Sequence, residues 1–122
     1  MEERLWHKLD RYACSGENIE GLFIISSRSA WFEGHFPGNP VLPGISMLGM
    51  VQELFRRYDP SKKVVRFKRI TFREIVHADA SLNITINKLQ ESADNVYSFD
   101  INYNGNLVCS GFLETAVGKG SA

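Results

Sequence analysis

Cysteine is almost absent from this chain. Cys14 and Cys109 stand far apart, with no Cys-x-x-Cys pair and no Cys/His spacing of a ligand set, so neither a disulfide framework nor a zinc site is indicated, and reduced thiols in a cytoplasmic protein are expected. Net charge is lacking as well: fourteen Lys plus Arg balance fourteen Asp plus Glu. That balance removes the field that would attract nucleic acid or an anionic membrane, and with it the self-repulsion that keeps copies apart. No apolar run approaches the roughly 18 residues of a membrane span. The N-terminus, Met1-Glu-Glu-Arg-Leu-Trp-His-Lys-Leu-Asp10, also lacks the apolar stretch of about 7–15 residues that a signal peptide carries. The expectation is a cytoplasmic protein with no nucleic-acid partner and no membrane span. Proline is scarce too, and three of its four copies fall between Gly34 and Gly44.

What is present fits one domain over residues 1–122. A chain of 122 residues with 43% hydrophobic composition buries roughly two thirds of its surface on folding, enough for a core without staples. Leu5, Trp6, Leu9 and Tyr12 sit near helical spacing and predict a short helix over 2–13. Leu22-Phe-Ile-Ile25 within 19–29 predicts a strand. Apolar residues then occupy most of the circumference from Ile45 to Tyr58, which predicts a helix almost wholly enclosed. Its small or polar stripe is Ser46, Gly49, Gln52, Glu53 and Arg56. Residues 63–76 predict a strand whose apolar phase shifts from Val65 and Phe67 to Ile70 and Phe72, so a bulge is expected near Lys68-Arg69. Strict alternation predicts strands over 81–87 and 96–103, and Asn104-Gly105 predicts a two-residue type I′ hairpin turn. One enclosed helix followed by an antiparallel meander implies an α+β fold, a sheet wrapped around the helix. The edges of such a sheet favour pairing with a second copy, hence a homodimer or higher homo-oligomer.

The proline- and glycine-rich segment cannot be regular helix or central strand, and it places His35 ahead of the enclosed helix. Pro43 suits the first helical position, and Leu42 has no side-chain oxygen to cap the amides of Gly44, Ile45 and Ser46. Such donors, aided by the helix dipole, suit a carbonyl oxygen that gains negative charge during reaction. An imidazole beside them suits removal of a proton next to a thioester carbonyl. The same residues also fit a loop stiffened by proline in which His35 only satisfies a backbone carbonyl. His7 and His77 have no comparable setting and are assigned surface or packing roles.

The run His35-Phe-Pro-Gly-Asn-Pro-Val-Leu-Pro-Gly44, followed by an apolar helix with Gln52 eight positions beyond Gly44, resembles the signature of the hot-dog-fold 3-hydroxyacyl-[acyl-carrier-protein] dehydratases. The resemblance implies a long helix wrapped by an antiparallel sheet and active sites at a dimer interface. It implies His35 as the catalytic histidine, the Gly44 N–H as the donor to the thioester carbonyl, and the backbone of Val41 as the support of the imidazole. Phe36, Val41, Pro43, Ser46, Gly49 and Gln52 become candidate substrate-binding positions. No cofactor or metal is implied. The family's catalytic Glu or Asp lies five residues after the position of Gly44, and here that position is Gly49. The stretch Ile75-Val-His-Ala-Asp-Ala-Ser81 also departs from the family's Pro-Val-hydrophobe-Pro-Gly-Asp turn.

Elimination of water needs a base for the C2 proton and an acid for the C3 hydroxyl, so Gly49 leaves the second role unassigned. Glu53, about 6 Å further along the helix, is the nearest carboxylate in sequence, and a solvated or salt-bridged surface role also fits it. Three functions share these features: a 3-hydroxyacyl thioester dehydratase, a hot-dog thioesterase, and a non-catalytic module binding an acyl chain or an acyl carrier protein. In each, the partner is an acyl thioester on acyl carrier protein or coenzyme A. Arg56, Arg57, Lys62, Lys63, Arg66, Lys68 and Arg69 form a basic cluster suited to an acidic carrier domain, or simply to a solvated surface.

Overall fold

The computed structural model describes residues 7–26, 41–77, 79–89 and 95–118. In chain order these form β1 (Lys8–Ser15), β2 (Asn18–Ile25), α1 (Gly44–Tyr58), β3 (Lys62–Phe72), β4 (Ala80–Lys88), β5 (Val96–Tyr103) and β6 (Asn106–Val117). The six strands make one antiparallel sheet in the order β1-β2-β4-β5-β6-β3. Helix α1 touches β2, β4 and β3. In a flat sheet β2 and β3 would lie about 19 Å apart, four spacings of roughly 4.8 Å, whereas a helix with its side chains is only about 10–12 Å across. The sheet must therefore curl around α1, the α+β hot-dog arrangement expected from the sequence.

The curl is produced by bulges, and the bulges explain where periodicity misled. Residues 8–13 are strand, not helix. A register shift between Leu9 and Arg11 puts Leu9 and Tyr12 on the same, core-facing side, and this three-residue spacing imitates a helix. In β3 the expected bulge is present, with a shift between Lys68 and Thr71 and Arg69 at φ 51°. A second shift between Val64 and Arg66 was not anticipated. With both, Val64, Phe67 and Ile70 face the core, while Val65 and Phe72, expected on the apolar face, are exposed. The strand also ends at Phe72 rather than running to 76, and β2 spans Asn18–Ile25, with residues 27–29 of the expected strand outside the described residues.

Elsewhere the alternation is direct. Leu82, Ile84 and Ile86 of β4, and Tyr97, Phe99 and Ile101 of β5, are buried, with Tyr103 packed partly against them. Asn104 and Gly105 have φ 52° and 80°, as a type I′ turn requires at both central positions. Helix α1 is not enclosed all round. Met47, Met50, Val51, Leu54 and Phe55 are buried, but Ile45, Gln52, Glu53, Arg56 and Arg57 are exposed, because a single sheet covers only one side. Ser46, expected on the polar stripe, is buried. Among the described residues no helix is long and apolar enough to cross a membrane.

Two glycines let parts approach closely. A Cβ on Gly21 would lie 2.7 Å from Leu54 Cδ1, where α1 meets β2. A Cβ on Gly111 would lie 3.1 Å from two atoms of the Phe99 ring and 3.2 Å from the Lys68 carbonyl oxygen. Phe99 is Gly111's cross-strand partner, and its ring is held edge-on by Phe67 at 5.8 Å. Neither a buried ring nor a backbone oxygen yields easily, so Gly111→Ala is expected to destabilise the fold by about 1–3 kcal/mol. Urea denaturation of variant and wild type checks this, and an unchanged midpoint would show that the ring moves freely.

Candidate functional site

Two backbone tethers fix the start of α1. The Leu42 N–H donates to the Val76 carbonyl at 2.8 Å, and Val41 forms an isolated antiparallel bridge with His77. The chain thus arrives extended, and Pro43, at φ −62° and ψ 139°, is the N-cap, with Gly44 the first helical residue. Pro43 was expected one position later; its ring satisfies the helical φ, but the incoming bridge holds its ψ extended. Ser46 turns back on this start. Its N–H donates to the Pro43 carbonyl at 3.0 Å and its hydroxyl donates to the same oxygen at 2.6 Å. No side chain caps the helix, and among the described residues the amides of Gly44 and Ile45 have no acceptor. Two donors at the positive end of the helix therefore remain for an incoming oxygen.

The surroundings of these amides are apolar. A Cβ on Gly44 would lie 3.0 Å from the ring of Phe72, so the absent side chain is what lets that ring lie against the helix start. Ile45 is 71% exposed and Phe72 50%, and Ile75, exposed as well, adjoins the Val76 that holds Leu42. His35 and Phe36 lie outside the described residues.

One and a half turns along the helix, no atom of the described residues lies within 4 Å of where a Cβ on Gly49 would be. Gly49, Gln52, Glu53 and Arg56 line a cavity of about 430 Å³, closed on the other side by Lys62, Lys63 and Val64 of β3. The structure thus brings together Val41, Pro43, Gly44 and Ser46 at the helix start, and sets Gly49 and Gln52 further along the same helix. Glu53 accepts a hydrogen bond from His7 Nε2 at 2.8 Å. The His7 ring stands edge-on to Phe23, centroids 5.5 Å apart. Sequence reasoning placed His7 as a packing residue and missed this pairing, which joins residues 46 positions apart. His77 contributes backbone only.

Several other groups are accounted for. The Lys68 ammonium, hydrogen-bonded to Glu114, holds that carboxyl below its usual range, with Arg66 assisting. Lys62 pairs with Asp59 at 3.9 Å, and Arg57 lies over the ring of Tyr12. Part of the basic cluster is thereby already engaged. Burial pushes the Cys109 thiol up to about 11, which makes it a poor nucleophile, whereas Cys14 is exposed. Among the described residues no group of His, Cys, Asp and Glu could hold a metal ion.

Among the described residues, one helix in the grip of a curled six-stranded antiparallel sheet defines a hot-dog fold. Within that fold the chain belongs to the ApeI-like family, that of the ApeI dehydratase, whose model matches residues 12–112. It is 28% identical over 109 residues to the 3-hydroxyacyl-[acyl-carrier-protein] dehydratase FabZ of Oenococcus oeni, an alignment covering 81% of this chain and 78% of that protein. The dehydratase heterocomplex ApeI:P from Xenorhabdus doucetiae superposes with a TM-score of 0.78 at 16% identity, over 89% of this chain and 96% of that one. A hypothetical thioesterase from Streptococcus pneumoniae, solved with coenzyme A, superposes with a TM-score of 0.68 at 13% identity, over 92% and 85% of the two chains.

Glycine at position 49 does not serve close packing against any of the described residues. Glycine in a helix interior costs about 0.8–1 kcal/mol relative to alanine. Gly49→Ala is therefore expected to stabilise the protein by up to about 1 kcal/mol, the opposite sign to Gly111→Ala. This would raise the thermal midpoint by roughly 3–5 °C, read by circular dichroism. A lowered midpoint would show that another surface closes on Gly49 in solution.

Proposed function

We propose that this protein eliminates water from 3-hydroxyacyl thioesters carried by acyl carrier protein or coenzyme A. The observation that carries the proposal is the uncapped start of α1. The Gly44 and Ile45 amides are left without acceptors at the end of the segment that bears His35. In this reading the thioester carbonyl oxygen accepts from the Gly44 N–H. As His35 takes the C2 proton, the negative charge that collects on that oxygen is stabilised by the amide and the helix dipole. The C2–H electron pair becomes the C2=C3 bond, the C3–O bond breaks, and the hydroxyl leaves as water after taking up the proton that His35 removed or one from solvent, which leaves the imidazole neutral for the next cycle. Phe36 and Pro43 wall the reacting end, the backbone of Val41 supports the imidazole, and Ser46 keeps the Pro43 carbonyl from turning toward the substrate oxygen. Gly49 and Gln52 line the continuation of the site along the helix. The relationship to a FabZ dehydratase and membership of the ApeI-like family support the reaction class. The coenzyme A-bound neighbour supports the carrier.

His35→Ala is expected to lower turnover of 3-hydroxyacyl and 2-enoyl thioesters by at least the roughly 10²-fold of a lost general base, with an unchanged far-ultraviolet spectrum. Equal turnover by variant and wild type would remove His35 from the chemistry. Tight binding of acyl carrier protein with no turnover by either would favour the non-catalytic module.

The assembly proposed for this site is a homodimer or a multiple of one. β3 is an edge strand of 11 residues, and exposed Ile45, Val65 and Phe72 lie on or beside it. A second copy would cover both the unpaired edge and this apolar surface. Sedimentation at micromolar concentration should give twice the chain mass or more, and a monomer across the accessible range would overturn the assignment.

A further inference from the structure

We propose that the cavity between α1 and the start of β3 is an anion site that takes the phosphate of the thioester's pantetheine arm, with Arg56 and Lys63 as its donors. This inference rests on the thioester reading given above and adds to it where the carrier is held. Gln52, Glu53 and Arg56 of the helix line, with Lys62 and Lys63 of the strand, a space of about 430 Å³. Three cations thus meet one carboxylate there, in a chain whose overall charge is zero. That carboxylate, Glu53, is already in hydrogen-bond contact with His7 at 2.8 Å, and Lys62 shares Asp59 at 3.9 Å. Arg66 and Lys68 are taken by Glu114, and Arg57 lies over the Tyr12 ring. Arg56 and Lys63 have no carboxylate partner among the described residues. Like charges gathered at a cavity repel one another, and an anion bound between them removes that cost. Phosphate suits these groups, because guanidinium and ammonium both donate charge-assisted hydrogen bonds to its oxygens, Arg two at once.

The position along α1 points to which phosphate. Ile45, Gly49, Gln52 and Arg56 follow at steps of four, three and four residues, which sets them on one stripe of the helix. Ile45, Gln52 and Arg56 are all exposed. At the head of the stripe is the Ile45 amide, which has no acceptor among the described residues. Arg56 stands roughly 16 Å further along the axis, a separation that an extended pantetheine arm spans between its thioester and its phosphate. Gly49 presents no side chain midway, and no described atom lies within 4 Å of its Cβ position, so the arm passes over the helix there. The Gln52 amide both donates and accepts, as the amides of the arm do. A free phosphate would use the cavity alone, whereas a phosphate on a pantetheine arm uses the whole stripe.

The test is isothermal titration calorimetry on the purified full chain with coenzyme A, dephospho-coenzyme A and pantetheine, the last of which has no phosphate. Coenzyme A is expected to bind at least about tenfold more tightly than pantetheine, and dephospho-coenzyme A, which keeps the phosphate of the arm, to bind like coenzyme A. Arg56→Gln and Lys63→Gln should each weaken coenzyme A about tenfold and leave pantetheine within about twofold. Both side chains are exposed, so thermal midpoints stay unchanged. Arg57→Gln removes the same charge from the same helical turn, beside Tyr12, and should leave coenzyme A within about twofold. Equal weakening by Arg57→Gln would reduce the effect to net charge and overturn the site. Coenzyme A that binds no more tightly than pantetheine, or that neither cavity variant weakens, would overturn it too, as would dephospho-coenzyme A that binds only like pantetheine. Coenzyme A held through Arg56 and Lys63 by a protein that turns over no 3-hydroxybutyryl-coenzyme A would keep the site and overturn the dehydration. Turnover with a KM that neither cavity variant changes would overturn the site and leave the dehydration standing.

Discussion

Everything in this molecule is arranged around the burial of one face of α1 against a single sheet. Met50, Val51 and Leu54 have no exposure at all, and each such side chain contributes roughly 1.5–3 kcal/mol when removed from water. That gain is available only if strands at both ends of the sheet reach the helix, so the sheet has to bend. The bulges in β1 and β3 supply the bend, and Gly21 and Gly111 clear the backbone where helix and strand or ring and strand meet. The same requirement leaves the opposite face of α1 uncovered. Gly49, Gln52 and Glu53 stand on that face because the core does not claim them.

The start of α1 shows how a position is fixed without a cap. A helix N-terminus usually recruits Ser, Thr, Asp or Asn to satisfy its first amides. Here a proline occupies the cap, and the two hydrogen-bonding groups of Ser46 are both spent on the Pro43 carbonyl. Stability at this end comes instead from the Leu42–Val76 and Val41–His77 backbone contacts. A capped helix would have gained about 1 kcal/mol and satisfied amides that have no acceptor among the described residues. The local sacrifice is consistent with a site that stabilises a developing oxyanion.

Legibility in the sequence followed the regularity of the backbone. β4, β5, the Asn104-Gly105 turn and the helix emerged from period and turn chemistry, because in them each side chain's direction follows from its number alone. β1 and the first half of β3 did not, since a bulge adds one residue to a face and converts a period of two into a spacing of three. That is why Leu9 and Tyr12 read as helical and why Val65 and Phe72 were placed inward. The enclosure of α1 was overestimated for a different reason. Ile45 is apolar and Ser46 polar, yet the first is exposed and the second buried, because at the helix start hydrogen bonding to Pro43 outranks hydropathy. Of the site, Gly44, Val41, Pro43 and the acid-free Gly49 were legible in one continuous motif. The His7–Glu53 contact was not, since nothing local marks residues brought together only by the closing of β1 beside the helix.

The two halves of a dehydration also separate along this helix, which bears on what a missing acid means. Stabilising the carbonyl oxygen requires only the backbone at Gly44, which any sequence able to start a helix there would keep. Delivering a proton to the C3 hydroxyl requires a side chain, and a side chain at one helical position can be replaced by another one turn away at the cost of reach. A glycine at position 49 therefore takes nothing from the first half of the proposed reaction. In the proposed dehydration the second half then rests with the His35 imidazole itself or with a group on another element, since the next carboxylate on this helix face, Glu53, stands about 6 Å further along and is engaged with His7. The core anchors His7 through Phe23, so the burial that bends the sheet also sets where the Glu53 carboxyl beside it stands.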